Sequence, residues 1–368
     1  MLCYEFPPIG GGGAKVVDGL TRELSRKGIE VHLVTMGFKK LPAYEQKNNL
    51  HIHRIKCLRL KESICTFPEM LTYIISAIPT IIQLQRKHKF QINHTHFIFP
   101  DGILAYLVLK LTRLKYVLTA HGSDVPGYNT NRFKIFHKFL RPLWKQIVKS
   151  SSQMIFPSDN LYTLFREIDQ KTKGIIIPNG INLDKFSPLK EKQKEILVVT
   201  RMFERKGVQY ILKALEGLEH DYKINIVGEG PYLDSLKRLA IESKLDVNFL
   251  GFIDNHSDQL KKLYEESMIF IFTSESENFP IVLLEAMVAK TAIITTKNTG
   301  CAEVVGDSAI LVDSKDSDAI RKAIIELINN PQLTEKLQYA ARKRVEDLFG
   351  WQSVANQYSK VYDSFIRN

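Results

Sequence analysis

The chain contains few cysteines, and they are scattered. Four cysteines occur among 368 residues, at positions 3, 57, 65 and 301, and none belongs to a Cys-x-x-Cys pair. This excludes a dense disulfide framework and a cysteine-ligated zinc site, and it suits a reducing compartment. The sequence also lacks any recognisable RNA- or DNA-binding module.

Long hydrophobic runs are absent as well. The longest apolar stretch, residues 70–84, is shorter than the roughly 20 residues that a membrane-spanning helix needs, and it contains Pro79. We therefore expect a buried or interfacial helix there. We recognise no secretory signal before the first glycine cluster, and we expect a cytoplasmic protein.

Positive charge is concentrated in the first half of the chain. Residues 1–180 hold 26 Lys and Arg against 12 Asp and Glu, a balance of +14, whereas residues 181–368 hold 25 against 28, a balance of −3. A basic half indicates an anionic partner, which could be a membrane surface, a nucleic acid or a phosphorylated substrate. General solubility charge is the alternative, and net charge alone does not decide between them.

Short apolar runs alternate with amphipathic stretches along the whole chain. This alternation predicts parallel α/β sheets, and it restarts after a polar segment that is typical of an interdomain linker. We predict one Rossmann-like domain over 1–178, a second over 179–348, and a final helix over 349–368. Ligands are expected beyond the carboxyl ends of the strands, in a cleft between the two sheets.

A strand, an acidic loop and a helix start follow one another between residues 268 and 287. Pro280 suits the first helical turn, and Asn278 is the expected cap. Glu277 and Glu285 lie eight residues apart, about 12 Å along a helix. Carboxylates on either side of a helix start that attracts phosphate suit a sugar nucleotide. The alternative is that Glu285 is an ordinary helix residue and Glu277 a charge that favours the helix dipole.

Glycine-rich or charged segments follow three further predicted strands. They contain Gly12, Gly13 and Lys15; His121, Gly122 and Asp124; and Arg201 and Lys206. Glycine clusters let backbone approach a ligand closely, and two cations beside a helix start suit a diphosphate. Each segment alone is also consistent with a plain turn or a solvated loop.

A basic, aromatic-rich helix is predicted over residues 131–149. Such a helix could lie on an anionic membrane. It could equally bury its aromatic side chains in a domain core, which is the more frequent arrangement for aromatics at helical spacing.

The segment from Glu277 to Glu285 resembles the Glu-x7-Glu motif of retaining glycosyltransferases, especially glycosyltransferase family 4. Further pieces occur in the same order as in that family, and they are the Gly12-Gly13 loop, His121-Gly122-Ser123-Asp124, Asn179-Gly180-Ile181, Arg201 with Lys206-Gly207, Gly228-Glu229-Gly230 and the region of Trp351. The resemblance implies a GT-B fold, with two Rossmann-like domains whose parallel sheets face each other across a cleft and a last helix that returns to the N-terminal domain. The C-terminal domain would bind a nucleotide sugar, and the N-terminal domain would bind the acceptor.

The resemblance also implies roles for individual residues. The expected catalytic residues are Glu277 at the donor sugar, His121 reaching the same sugar, and Arg201 and Lys206 at the diphosphate. Glu285 would hold the ribose hydroxyls. The other expected donor-binding residues are Asn278, Phe279, Pro280, Ile281, Gly12, Gly13, Gly228 and Ile253. The expected acceptor-binding residues are Asp124, Gly122 and Lys15.

For the reaction, the resemblance implies transfer from a UDP- or GDP-sugar to a glycan or a lipid-linked acceptor in cell-surface polysaccharide or glycolipid synthesis. The anomeric configuration would be retained by front-face attack, with the leaving phosphate taking the acceptor's proton. We expect no cofactor and no metal. Asn278 and Pro280 stand where many relatives carry Gly, so the sugar pocket is expected to differ.

The expected partners are a nucleotide diphosphate sugar, a sugar, glycolipid or lipid-linked acceptor, and an anionic membrane surface at the inner face of the plasma membrane. Two other interpretations remain open. One is an epimerase or phosphorylase on the same fold, and the phosphorylase would need a lysine-bound pyridoxal phosphate. The other is a nucleic-acid binder, which charge alone suggests; we expect no nucleic-acid partner.

Overall fold

The chain divides into two compact units. One comprises residues 1–180 and 351–368, and the other comprises residues 181–350. The computed structural model describes residues 1–62, 64–128, 134–188, 191–255 and 257–366, and for residues 134–139 it describes the backbone alone.

The first unit alternates strands and helices. In chain order its elements are α1 (Gly12–Arg26), β1 (Val31–Met36), β2 (Tyr44–Lys47), β3 (Leu50–Ile55), α2 (Phe67–His88), β4 (Asn93–His96), α3 (Asp101–Thr112), β5 (Tyr116–Thr119), α4 (Lys134–Ser150), β6 (Gln153–Phe156), α5 (Asp159–Arg166) and β7 (Gly174–Ile176).

The strands of this unit pair in the orders β1-β3-β2 and β4-β5-β6-β7. Leu2 bridges Val34 of β1 and Thr95 of β4, so the first residues of the chain join the two groups as the predicted opening strand. All these pairings are parallel except that of β2 with β3. Strand β2 escaped prediction because it is a mostly exposed edge strand with no apolar run.

The second unit continues the alternation. Its elements are β8 (Gln193–Val199), a short 3-10 turn (Glu204–Lys206), α6 (Val208–Leu215), β9 (Lys223–Val227), α7 (Leu233–Glu242), β10 (Val247–Gly251), α8 (Asp258–Glu266), β11 (Ser267–Phe272), α9 (Ile281–Val288), β12 (Ala292–Thr296), α10 (Gly300–Val305), β13 (Ile310–Val312), α11 (Ser317–Asn329) and α12 (Pro331–Leu348). The strands form one parallel sheet in the order β10-β9-β8-β11-β12-β13. Near-continuous apolar strands such as Ser267–Phe272 suit a sheet that is covered on both faces.

The last helix, α13 (Trp351–Ile366), belongs to the first unit, as predicted. It packs beside α1 and buries Val354, Ala355 and two tyrosines in that unit's core. The Trp351 ring lies so close to Gly19 and Gly180 that a methyl group on either glycine would come within 2.4 Å of it.

Helix α2 is longer than the predicted apolar stretch. Its 22 residues are apolar enough and long enough to cross a membrane, judged by length and composition alone. One face, which includes Tyr73, Ala77 and Ile81, is buried in the core of the first unit. The opposite face carries exposed apolar side chains, so the helix is buried on one side only, and an interfacial location stays a prediction.

Helix α4 covers most of the predicted basic helix, and residues 131–133 lie outside the described residues. Trp144, Ile147 and Val148 are buried in the core, whereas Lys145 and Lys149 are exposed. The described apolar face of α4 therefore packs inward, as expected for aromatics at helical spacing.

Candidate active site

The strand order of the second sheet reverses between β8 and β11. Strands β9 and β10 continue on one side and β12 and β13 on the other. In open α/β sheets, ligands bind beyond the carboxyl ends of the strands at such a switch point. Lys206 lies in the 3-10 turn after β8, and Glu277 lies in the loop after β11. The fold thus brings together two predicted catalytic residues from distant parts of the sequence.

Lys206, which is buried, and Glu277, which is partly buried, form an ion pair in which Lys206 Nζ donates to Glu277 Oε1. The Lys206 ammonium also lies 5.6 Å from the centre of the Phe272 ring. Burial lowers the pKa of Lys206, the Glu277 carboxylate opposes this shift, and the Arg205 and Arg201 charges add to it. Because Lys206 and two arginines place three cations near one another in this turn, the turn suits a diphosphate.

The Glu277 loop rests on the first residue of α10. The Gly300 amide donates to the Glu277 carbonyl at 2.9 Å, and a methyl group on Gly300 would lie 1.6 Å from the Asn278 carbonyl oxygen. Sequence reasoning missed Gly300 as a site residue. The only available signal was its place at a helix start just after a predicted strand.

Helix α9 begins at Ile281, and the preceding residue, Pro280, has an extended backbone with φ −74° and ψ 118°. The prediction that Asn278 caps this helix is wrong, because Asn278 lies two residues before the cap position. No described side chain caps α9. The Leu283 amide donates to the Pro280 carbonyl at 3.2 Å, so at most the N–H groups of Ile281 and Val282 are available to water or an anion.

Glu285 is 4% exposed, and both of its carboxylate oxygens are bonded. Lys185 Nζ donates to Oε1, and the Tyr264 hydroxyl donates to Oε2 at 3.1 Å. Burial raises the pKa of Tyr264, and the adjacent carboxylate raises it further. The two donors supply the pairing that a buried carboxylate needs. Sequence reasoning missed both donors, because Lys185 lies 100 residues and Tyr264 lies 21 residues from Glu285 along the chain.

Three further predicted donor-binding residues serve the packing behind the site. Phe279 packs edge-on against Phe349 with ring centres 5.4 Å apart, and Ile253 belongs to the same buried cluster. Gly228 follows β9, where a methyl group would lie 1.8 Å from the Thr200 carbonyl oxygen. Close packing therefore explains why Gly and Phe occupy positions 228 and 279, and neither residue needs a direct contact with the ligand.

In the first unit, the loop after β5 is organised around the Asp124 carboxylate. It accepts the backbone N–H groups of Ile98 at 2.8 Å, His121 at 3.0 Å and Gly122 at 2.9 Å, and it is buried. Both oxygens are thus engaged with backbone, so Asp124 holds His121 in place. This geometry does not support the predicted contact between Asp124 and an acceptor.

The His121 ring is neutral at physiological pH. Burial lowers its pKa to about 3. His121 Nε2 lies 3.1 Å from His96 Nδ1, and its ring centre lies 4.3 Å from that of Phe97. His121 can therefore give or accept a hydrogen bond at a sugar hydroxyl, but it brings no charge.

The predicted glycine loop forms the first turn of a helix. Helix α1 begins at Gly12, and no described side chain caps it. Gly13 lies against Phe97, whose ring would be 2.5 Å from a methyl group on that glycine, and Lys15 is exposed two residues further on. Phe97 has a φ of 72°, a strained value for an aromatic residue. It contacts both Gly13 and His121, and sequence reasoning missed it.

Two family models match the chain one after the other. Glycosyltransferase Family 4 matches residues 10–185, and Glycosyl transferases group 1 matches residues 181–344. The chain belongs to glycosyltransferase family 4. Both matches contain their unit's candidate residues, and the resemblance drawn from the sequence motifs is confirmed.

Relatives and solved structures agree with this assignment. The family 4 chain is 27% identical to N-acetyl-alpha-D-glucosaminyl L-malate synthase of Bacillus anthracis, over 100% of this chain and 97% of the relative. It is 24% identical to alpha-monoglucosyldiacylglycerol synthase of Streptococcus pneumoniae, over 96% and 86%. Sucrose-phosphate synthase from Thermosynechococcus elongatus superimposes with a TM-score of 0.83 at 21% identity, over 97% and 94%. Anabaena HepE in complex with UDP-glucose gives 0.73 at 15% identity, over 99% and 98%.

These findings confirm the GT-B fold class and an enzyme that transfers glycosyl groups. The epimerase alternative is not supported, because the family models and the named relatives are transferases. One of the relatives named above, alpha-monoglucosyldiacylglycerol synthase, is an enzyme of glycolipid synthesis, which is one of the two pathways that the motifs indicated.

Proposed function

We propose that this glycosyltransferase moves a sugar from a nucleoside diphosphate sugar to a lipid-linked or glycan acceptor, with retention of the anomeric configuration. The Lys206–Glu277 pair carries the proposal, because it places a buried cation and a carboxylate at the switch point of the second sheet. HepE, which shares the fold, binds UDP-glucose, so a UDP-sugar is the first donor to test.

In this proposal the second unit holds the donor. Lys206, Arg201 and the first N–H groups of α9 bind the diphosphate, and Glu277 and its neighbouring amides hold the sugar. Glu285 accepts hydrogen bonds from the ribose hydroxyls and shares its oxygens with Lys185. Preorganised positive charge would stabilise the leaving diphosphate as its charge grows.

The chemical step is a substitution at the anomeric carbon. The bond between that carbon and the β-phosphate oxygen breaks, and the acceptor oxygen forms a new bond on the same face. The acceptor's proton passes to the leaving phosphate oxygen. The protein supplies positioning and charge, and we propose that it needs no cofactor and no metal for this step.

The test is nucleotide release from a panel of UDP-, GDP- and ADP-sugars, with NMR assignment of the anomeric configuration of the product. We expect release from one donor, and loss of release in Lys206→Ala and Glu285→Ala. Asp258→Ala, an exposed position on α8, is the control and should leave the rate unchanged. A product of inverted configuration would contradict retention, and donor binding that survives Lys206→Ala would contradict the diphosphate site.

The acceptor side of the proposal rests on an exposed apolar surface of the first unit. Six large apolar side chains that are 46% to 71% exposed lie before α2 or along its outer face, and we call them the apolar ridge: Leu58, Leu60, Ile64, Phe67, Leu71 and Ile75. Contiguous exposed apolar surface marks an interaction site. The spacing of Phe67, Leu71 and Ile75 is that of one helix face.

Hydrogen bonds join the segment before α2 to the glycine turn, which comprises residues 10–13 at the start of α1. Arg59 pairs with Glu5 at 3.1 Å and donates to the Glu62 carbonyl at 2.8 Å, and the Gly10 amide donates to the same carbonyl at 3.0 Å. Lys56 and Lys61 are exposed within the segment. An apolar ridge flanked by cations on a basic half fits an anionic bilayer. We propose peripheral binding at the cytoplasmic face of the membrane, where a lipid-linked acceptor would meet the glycine turn.

Vesicle co-sedimentation tests this part. We expect binding to anionic but not to zwitterionic vesicles, and weakening at about 1 M NaCl, where the Debye length falls to about 3 Å. The double variant Leu71→Ser/Ile75→Ser should lose binding, whereas Ile241→Ser, at a position that is 76% exposed on α7, should not. Equal binding of both variants to anionic vesicles would show that the apolar ridge is not the membrane-binding surface. Transfer to a soluble acceptor without vesicles would contradict the membrane proposal but not the proposed donor site.

A further inference from the structure

Four histidines of the first unit gather near the starts of β1 and β3, beside the end of α2. His32 lies near the start of β1, His51 and His53 lie on β3, and His88 ends α2. The His32 ring stacks on His51 with centres 4.4 Å apart, and it lies 4.1 Å from the His88 ring. Glu30, just before β1, completes the group. The glycine turn and the His121 loop follow strand ends, so this group is separate from them.

We propose that Glu30, His32 and His88 bind a first-row divalent cation, of which Zn²⁺ is the best match. One ligand atom from each of the three residues can be chosen so that all lie within 4.8 Å of one another. Glu30 Oε1 is 2.8 Å from His32 Nε2 and 3.5 Å from His88 Nδ1. Bonds of about 2.0 Å to a tetrahedral Zn²⁺ place neighbouring ligand atoms about 3.3 Å apart. Small side-chain movements would therefore complete the coordination.

The ligand chemistry selects the class of ion. Two imidazoles and one carboxylate suit Zn²⁺ and its neighbours in the first transition row, whereas Mg²⁺ and Ca²⁺ prefer ligand sets made of oxygen. The Glu30 side chain is 60% exposed and that of His88 is 24% exposed. A fourth position therefore opens to solvent and can hold water.

The surroundings hold two of the ligands in place. His53 Nε2 lies 3.0 Å from His32 Nδ1, so His32 can donate its second ring N–H while its Nε2 faces the ion. Metal-binding histidines usually have such a partner. On the other side, the Phe90 ring is parallel to that of His88, with centres 5.7 Å apart. The contact with His53 thus orients the His32 ring, and stacking on Phe90 orients the His88 ring.

A bound ion would connect separate elements. His88 ends the helix that carries the apolar ridge, whereas His32 and Glu30 belong to the start of β1. The ion would tie the end of α2 to the edge of the sheet. Its role would be structural and independent of the transfer reaction.

The test uses the full chain without a histidine tag. Calorimetric titration with ZnCl2 should show one ion bound per chain, and thermal unfolding should shift upward with Zn²⁺. His88→Ala and Glu30→Gln should each weaken binding at least tenfold, and His53→Ala should weaken it by about 10- to 100-fold, as loss of a supporting contact does. His220→Ala, on the second unit, is the control and should bind as the wild type does.

Co²⁺ gives an independent readout, because a tetrahedral site of this composition produces strong visible absorption and an octahedral one does not. Circular dichroism of the metal-free variants should match the wild type, since His88 and Glu30 lie at the surface edge of the unit. Absence of Zn²⁺ binding, or binding that persists in both His88→Ala and Glu30→Gln, would overturn the proposal. Binding lost in His220→Ala would also overturn it, because the ion would then bind elsewhere.

Discussion

The Lys206–Glu277 pair has consequences for stability as well as for catalysis. Removal of Lys206 leaves the Glu277 carboxylate, whose side chain is only 13% exposed, without its partner, and loss of a partner from a buried pair typically costs about 3–5 kcal/mol. We therefore expect Lys206→Met to lower the free energy of unfolding by that amount and the transfer rate by about 100-fold. The double variant Lys206→Met/Glu277→Gln should recover much of the stability and none of the rate.

Urea unfolding and steady-state kinetics on the same preparations check this prediction. If the double variant were as unstable as the single one, the two side chains would not be coupled. If Lys206→Met kept its rate, the turn after β8 would lie outside the active site.

The low pKa of His121 makes the first unit sensitive to acid. The folded protein binds a proton at His121 only near pH 3, whereas the unfolded chain binds it near pH 6.5. The unfolded state therefore holds more protons between these values, and stability falls as the pH drops below 6.5. His94 and His96 are buried and their pKa values are lowered as well, so they act in the same direction.

Replacement of His121 should make the free energy of unfolding depend less steeply on pH. Between pH 6 and 4, His121→Asn is expected to reduce the slope of unfolding free energy against pH by up to about 1.4 kcal/mol per pH unit. Above pH 7.5 the two slopes should coincide, because His121 is neutral in both states. Parallel slopes over the acid range would contradict a partly buried His121 that is neutral in the folded protein.

Among the helices, α10 sets the position of the loop that precedes α9. A side chain at Gly300 would displace the backbone of Glu277 and Asn278. Because a misplacement of about 1 Å can cost about 100-fold in rate, we expect Gly300→Ala to lower kcat/KM by about that factor. Ala302→Ser, on the same helix, is the control and should change kcat/KM little. An unchanged kcat/KM in Gly300→Ala would remove this loop from the site.

Local sequence patterns predicted the elements well because the signals they use are local. Apolar runs placed β11 and β12, and the strand–loop–helix pattern placed Glu277 and Glu285 at one end of a sheet. Contacts between distant segments could not be predicted this way. Lys185 reaches Glu285 from 100 residues away, and Gly300 supports the Glu277 loop from the start of helix α10. Strand β2 was missed for a different reason, since hydrogen bonding along the edge of a sheet leaves no hydrophobic pattern.

The two units of the chain can be monitored separately. Both tryptophans, Trp144 and Trp351, belong to the first unit, so their fluorescence reports its unfolding, whereas circular dichroism reports both units. Gly19→Ala would press a methyl group into the Trp351 ring, and overpacking of this kind costs about 1–3 kcal/mol. We expect the fluorescence transition in urea to move to lower concentration.

Hydrogen exchange should locate the effect. Protection should fall in α1 and α13 and stay unchanged in the sheet of the second unit. Equal loss of protection in both units would mean that they unfold as one body, and an unchanged fluorescence transition would mean that α13 contributes little to the first unit.

The return of α13 to the first unit also determines when that unit can be completed during protein synthesis. Residues 181–350 form the second unit, and all of them leave the ribosome before the helix that the first unit needs. The second unit can therefore bury its core while the chain is still being translated. The first unit, although synthesised first, must wait with part of α1 uncovered until α13 has been synthesised, so a nascent chain stalled before residue 351 would expose that apolar face to chaperones.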